Sequence, residues 1–187
     1  GKEAKVLKGL EAGDYELVEK TAPFGYLIAE KIAFTIEPVT GQIVNNPTGV
    51  ITMLDDYTKV TVSKKDITGS EEIGGAQLQV VDSEGNVMDA WVSKAGESHQ
   101  INAKLEPGKT YTLVEITAPD GYLKAESVDF TVNADGKAQT VTMLDDYTKV
   151  VISKIDITNG NELPGATLTI LDENGEMVET WVSTDQA

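Results

Sequence analysis

The sequence VTMLDDYTKV at residues 141–150 occurs twice in the chain, because residues 51–60 read ITMLDDYTKV. A lysine follows four residues later in both copies, at Lys64 and at Lys154. The two copies lie 90 residues apart, and self-similarity at a fixed period is the signature of a repeat protein. The stretch therefore ends one repeat and begins the next.

Two further motifs divide the chain into domains. The pattern YxLxExxAPxGY occurs at residues 15–26 and again at residues 111–122, and the tripeptide WVS also occurs twice. We therefore expect a complete domain at residues 58–148, flanked by the C-terminal part of a domain at residues 1–57 and by the N-terminal part of a domain at residues 149–187. Together the two flanking parts amount to one further repeat, divided in the loop after the second WVS.

Short segments of alternating apolar and polar residues follow one another along the chain, as in Val60-Thr-Val62 and Tyr111-Thr-Leu113. Alternation with a period of two predicts half-buried strands, and the Gly, Pro and Asp residues between the segments predict turns. No stretch has sustained helical periodicity. About seven short strands per repeat predict an all-β fold of the β-sandwich class, repeated in tandem.

The composition argues against several classes of function. The chain has 31 acidic and 15 basic residues and a net charge of -16, so we expect no nucleic-acid partner. It has no cysteine for a disulfide or a thiolate metal site, and no apolar run approaches the roughly 18 residues of a membrane span. With one histidine, His99, and no nucleophile motif, we expect no turnover enzyme, no cofactor and no metal.

Three strands place an ionisable residue on the face that their alternation predicts to be buried. Lys64, Glu115 and Asp145 each lie two residues after an apolar, inward-facing residue. One such residue could mark a strand end that reaches water, but the two partial domains carry the same set at equivalent positions: Lys154, Glu19 and Asp55. The repetition indicates that lysine, glutamate and aspartate act together.

Two interpretations of this set are open from the residues alone. The first is a buried salt-bridge network, because a buried charge without a partner costs several kcal/mol. The second is chemical. Burial favours the neutral amine of lysine and the neutral acid of glutamate, and a neutral amine is a nucleophile. Lysine could then condense with aspartate to an amide with loss of water, while the glutamic acid polarises the aspartate carboxyl and moves the protons.

The motifs around these residues resemble those of collagen-adhesin B-type domains. The resemblance rests on LVEITAPDGY at residues 113–122, SKKD at residues 63–66 and MLDDY at residues 143–147, and it extends over the whole chain as a tandem of such domains. These domains are prealbumin-like, immunoglobulin-like β-sandwiches of surface adhesins and pilins in Gram-positive bacteria. The resemblance therefore implies a rod of β-sandwich domains.

The resemblance also implies a role for each residue of the set. In the family, a lysine on the first strand and an Asn or Asp on the last strand form an isopeptide bond spontaneously, assisted by a glutamate. This assigns the bond to Lys64 and Asp145 and the assisting role to Glu115. In the divided repeat it assigns the bond to Lys154 and Asp55 and the assisting role to Glu19, but a second chain or a reversal of the same chain has to supply the missing half.

We expect a structural function from these observations. The chain is interpreted as a stalk or fibre module of an extracellular surface protein, whose copies join head to tail through the divided repeat. The alternative is an adhesin module of the same fold that binds a host or matrix protein, with residues 41–48 as the candidate loop. We find no LPxTG sorting signal and no pilin lysine motif, so the residues do not support attachment by a sortase.

Overall fold

A computed structural model describes residues 3–186, which form strands and turns and contain no helix. This confirms the predicted all-β class. Accordingly, no helix in this part of the chain is long and apolar enough to cross a membrane. The strands are β1 (Gly13–Leu17), β2 (Ile32–Ile36), β3 (Lys59–Asp66), β4 (Gln77–Val81), β5 (Val87–Val92), β6 (His99–Asn102), β7 (Thr110–Thr117), β8 (Val128–Thr131), β9 (Gln139–Asp145), β10 (Thr167–Leu171) and β11 (Met177–Val182).

The chain divides into two compact units, one ending at Tyr147 and the other beginning at Thr148. The first unit contains β1 to β9 and the second contains β10 and β11. The assignment of residues 1–57 and 149–187 to two halves of one repeat stays a prediction.

Strands β3 to β9 form two sheets that enclose the hydrophobic core of the first unit. One sheet has the order β6-β3-β9 and the other has the order β5-β4-β7-β8. Alternate residues of each strand point into a shared cluster in which Val62, Leu78, Leu113 and Met143 are all almost completely buried. Burial of alternate side chains is the pattern that their period-two spacing predicts.

The first and last strands of this sandwich, β3 and β9, are neighbours and run parallel. Their register places Lys64 opposite Met143 and Asp66 opposite Asp145. The chain therefore enters the sandwich at one end of this strand pair, at Lys59, and leaves it at the other end. The remaining strand pairs of the two sheets are antiparallel.

The two flanking segments keep the local structure of the complete repeat. The β1–β2 hairpin pairs Tyr15 with Phe34, as β7 and β8 pair Tyr111 with Phe130. Likewise β10 and β11 repeat the register of β4 and β5, including the irregularity near the end of the first strand. Hairpins form in both places because their partners are close in the sequence.

Residues 51–55 and 150–154 form no strand, although the equivalent residues 141–145 and 60–64 belong to β9 and β3. In the complete repeat β3 and β9 pair with each other, whereas residues 51–55 belong to the first unit and residues 150–154 to the second. The apolar faces are exposed as a result. Val150 is 81% exposed where Val60 is 0% exposed, and Leu17 is 38% exposed where Leu113 is 0% exposed.

Candidate functional site

The first unit brings together Lys64, Glu115 and Asp145 inside the sandwich. Lys64 lies near the end of β3 and Asp145 is the last residue of β9, so the two extend from adjacent parallel strands. Glu115 lies on β7 of the facing sheet, where it is paired with Leu78 of β4. All three point inward because each continues the buried alternation of its strand.

The lysine nitrogen lies between the two carboxyl groups. Lys64 Nζ donates a hydrogen bond to Asp145 Oδ1 and lies 3.3 Å from Glu115 Oε1. The side chain of Lys64 is 2% exposed, and those of Glu115 and Asp145 are 0% exposed. The aspartate carboxyl and the lysine amine are thus in contact in a region that is closed to solvent.

One oxygen of Glu115 is held by the backbone. Glu115 Oε2 accepts a hydrogen bond of 2.7 Å from the amide nitrogen of Ala125. The other oxygen, Glu115 Oε1, and Asp145 Oδ2 are both buried and have no hydrogen-bond partner among the described residues. Buried acceptors that receive no hydrogen bond are costly, and a proton on one carboxyl would convert an acceptor into a donor.

The environment favours the uncharged form of the aspartate. Burial raises the pKa of Asp145, and the nearby Glu115 carboxyl adds to the rise, while the hydrogen bond from Lys64 opposes it. The net result is a pKa above the ordinary value for Asp. A neutral carboxyl beside an amine is the pair of groups from which an amide forms with loss of water.

The second set of residues is not brought together within either unit. Glu19 and Asp55 belong to the first unit and Lys154 to the second. Glu19 Oε2 accepts a hydrogen bond of 2.7 Å from the amide of Ala29, which repeats the contact of Glu115. Asp55, in contrast, is exposed on a segment without a strand.

Two contacts near the site were not predicted from the sequence. The backbone N–H of Lys64 donates to Glu72 Oε2 at 2.7 Å, and that of Lys154 donates to Glu162 Oε2 at 3.1 Å. The sequence feature that could have predicted this contact is a glutamate eight residues after the lysine in both repeats.

The second contact joins Tyr147 to Asp66. The hydroxyl of Tyr147 donates to Asp66 at 2.6 Å, and this hydrogen bond contributes most to raising the pKa of Tyr147 to about 12.

The loop considered for ligand binding forms a closed turn. The amide of Glu37 donates to the carbonyl of Gln42 at 2.9 Å, and the amide of Gly41 donates to the carbonyl of Glu37 at 2.8 Å. Ile36 and Ile43 form a β-bridge beside it. This is the geometry of a hairpin extension of β2.

The chain matches the sequence model of one protein family, described as the SpaA prealbumin-like fold domain. The match covers residues 58–147 and, as a second segment, residues 148–187. No curated protein sequence matches the chain.

Solved structures were found that resemble this chain at low sequence identity. The TIE protein of Bacillus anthracis superposes with a TM-score of 0.51 and 22% identity over 94% of this chain, which spans 34% of that protein. A double mutant of the shaft pilin SpaA from Lactobacillus rhamnosus GG gives a TM-score of 0.46 at 16% identity, covering 74% of this chain and 66% of the pilin. The first of these similarities shows a shared fold.

Replacing the buried lysine tests the electrostatics of the site. Lys64→Met removes the amine and keeps a side chain of similar shape, so Glu115 and Asp145 stay buried without a cation. We expect the free energy of unfolding at about pH 7 to fall by at least about 3–5 kcal/mol, because the two carboxyl groups lose their buried cationic partner. The loss becomes smaller toward about pH 5, because a raised carboxyl pKa means that the folded variant binds more protons than the unfolded chain.

Urea denaturation at the two pH values measures this difference. Lys65→Met is the control, since Lys65 lies next in the sequence and its exposed amine donates to the carbonyl of Gly69 at 3.2 Å. We expect the control to change stability by no more than about 0.5 kcal/mol. An equal loss for Lys64→Met at both pH values would contradict the account.

Proposed function

Because the chain belongs to the SpaA prealbumin-like fold domain family, we propose that it is a structural stalk or fibre module of an extracellular bacterial surface protein or pilus. We further propose that Lys64 and Asp145 become joined by an amide bond in the complete repeat. The observation that carries the proposal is the buried contact of the Lys64 amine with Asp145, beside Glu115.

The reaction needs only the three side chains. Neutral Lys64 Nζ attacks Cγ of the Asp145 carboxyl, while protonated Glu115 donates a hydrogen bond to that carboxyl. As the C–N bond forms, Glu115 gives its proton to the carbonyl oxygen of Asp145 and then takes a proton from the nitrogen. Glu115 passes that proton to one hydroxyl of the tetrahedral intermediate, which leaves as water, and it recovers a proton from the remaining hydroxyl as the amide carbonyl forms. One amide and one water result from one lysine and one carboxylic acid, in a single turnover without metal or cofactor.

The position of the bond suits a mechanical role. Tension between the ends of the complete repeat acts along β3 and β9, which are adjacent and parallel. A bond from Lys64 to Asp145 carries this load directly, so the residues between them bear none of it. The two residues lie 81 positions apart, and closing a loop of that size stabilises the fold by about 4–5 kcal/mol if it acts as a disulfide does.

Single-molecule stretching tests the mechanical role. When the wild-type chain is pulled from its ends, the residues between Lys64 and Asp145 should not extend. In Lys64→Met they should extend, adding about 3.3–3.6 Å per residue to the contour length. Lys65→Met should behave as the wild type. Release of the full length of the repeat by the wild-type chain would contradict the proposal.

We propose in addition that neighbouring copies of the chain assemble through residues 1–57 and 149–187, which together would make one further repeat. The hairpins β1–β2 and β10–β11 keep the registers of the complete repeat, but Leu17 and Val150 are exposed where their equivalents are buried. A second copy can supply the missing half, as in strand donation. Lys154 of one chain would then meet Glu19 and Asp55 of the next. Such a head-to-tail contact is heterologous and gives an open filament.

Denaturing electrophoresis tests this assembly. The wild-type chain should give a ladder of multiples that survives boiling in detergent, because Lys154 of one chain bonds to Asp55 of another. Lys154→Arg should give monomers only, since a guanidinium is not a nucleophile under these conditions. Lys20→Arg, at an exposed position, should keep the ladder. Monomers alone from the wild-type chain would refute the assembly.

A further inference from the structure

The polar side chain of Thr58 is completely buried at the point where residues 1–57 join the complete repeat. Its amide donates to the carbonyl of Gly25 at 2.9 Å. Its hydroxyl donates to the carbonyl of Leu105 at 2.8 Å, and its own carbonyl accepts from the amide of Ala103 at 3.0 Å. Thr58 therefore bonds to the preceding segment on one side and to the loop after β6 on the other.

The preceding segment also makes a close backbone contact with that loop. Gly25 is buried with a φ of +81°, and a Cβ atom at this position would lie 2.1 Å from the carbonyl oxygen of Ala103. Ala103 itself has a φ of +56°, which is uncommon for a residue other than glycine. The turn at Gly25 thus fits onto the loop with no room for any side chain.

A second contact lies at the β8–β9 turn. Asp56 Oδ2 accepts from Lys59 Nζ at 2.6 Å, and the same amine donates to the carbonyl of Gly136 at 3.0 Å. A Cβ at Gly136 would lie 2.8 Å from Asp56 Oδ2. The hydrogen bond from Lys59 lowers the pKa of Asp56, with a contribution from the amide of Tyr57. The connection is therefore held at two separate places.

We propose that Gly25, Thr58 and Ala103 form an interdomain latch that fixes the preceding domain in one orientation on the complete repeat. This rests on the proposed division of the chain into domains. The partner that fits the surface around Ala103 and Leu105 is the Pro-x-Gly-Tyr turn of a preceding domain of the same kind. In a stalk, the latch makes the joint a rigid element through which load reaches Lys59 and β3.

The same residue types recur at the end of the complete repeat. Residues 119–122 repeat the Pro-x-Gly-Tyr turn, and Thr148 stands where Thr58 stands. Leu123 donates its amide to the carbonyl of Asp146 at 2.8 Å, as Leu27 does to Asp56 at 2.9 Å. The complete repeat therefore carries both the receiving surface and a turn of the type that the surface receives.

Residual dipolar couplings test the latch in the full chain, with Lys154→Arg added to prevent bonds between chains. With the latch intact, the amides of β1 and β2 and those of β3 to β9 should fit one common alignment tensor. Gly25→Ala should require two tensors, because its Cβ cannot be accommodated against Ala103. Thr58→Val removes the hydroxyl and keeps the shape of the side chain, and it should also require two tensors. The amide chemical shifts of β1 and β2 should stay dispersed, which shows that this hairpin is still folded.

Gly85→Ala is the matched control. Gly85 has a φ of +84°, close to that of Gly25, but its Cβ position has no atom within 4 Å, so backbone strain alone should leave one tensor. Two tensors in the parent chain, or one tensor in both Gly25→Ala and Thr58→Val, would overturn the latch. The mass of the same denatured samples reports the Lys64–Asp145 bond separately, so the failure of one proposal is distinguishable from the failure of the other.

Discussion

The architecture of the complete repeat depends on an amine buried between two carboxyl groups. Removing Lys64, Glu115 and Asp145 from water is unfavourable unless each group finds a partner or loses its charge. The contact between Lys64 and Asp145, and the raised pKa of Asp145, show both responses in one place. The two sheets supply the closed interior, and the parallel pairing of β3 with β9 supplies the proximity.

The two flanking segments show how far the equivalent residues depend on that enclosure. Glu19 keeps its backbone partner and Lys154 keeps its glutamate, because those contacts are formed within short stretches of chain. Asp55 has lost the strand that would bury it, since the pairing of the first and last strands is long-range. Local geometry is therefore retained in these segments, and burial is not.

Much of this arrangement was predictable from the sequence, and the remainder was not, for physical reasons. Period-two alternation places Lys64, Glu115 and Asp145 on inward faces, and the 90-residue repeat shows that the pattern is not accidental. Alternation does not specify which strands are neighbours, so the parallel pairing of β3 and β9 came only from the structure. The amide of Ala125 and the buried Thr58 were also missed, because backbone donors and loop contacts leave no periodic signal.

The most direct test of the account is the mass of proteolytic fragments from the fully denatured chain. We expect a branched fragment that joins the peptide containing Lys64 to the peptide containing Asp145, lighter by one water than the two peptides together. In Glu115→Gln, which cannot relay the protons, the two peptides should be recovered mainly separate after refolding. Separate, unmodified peptides from the wild-type chain would contradict the account and leave the three residues as a buried ion-pair network.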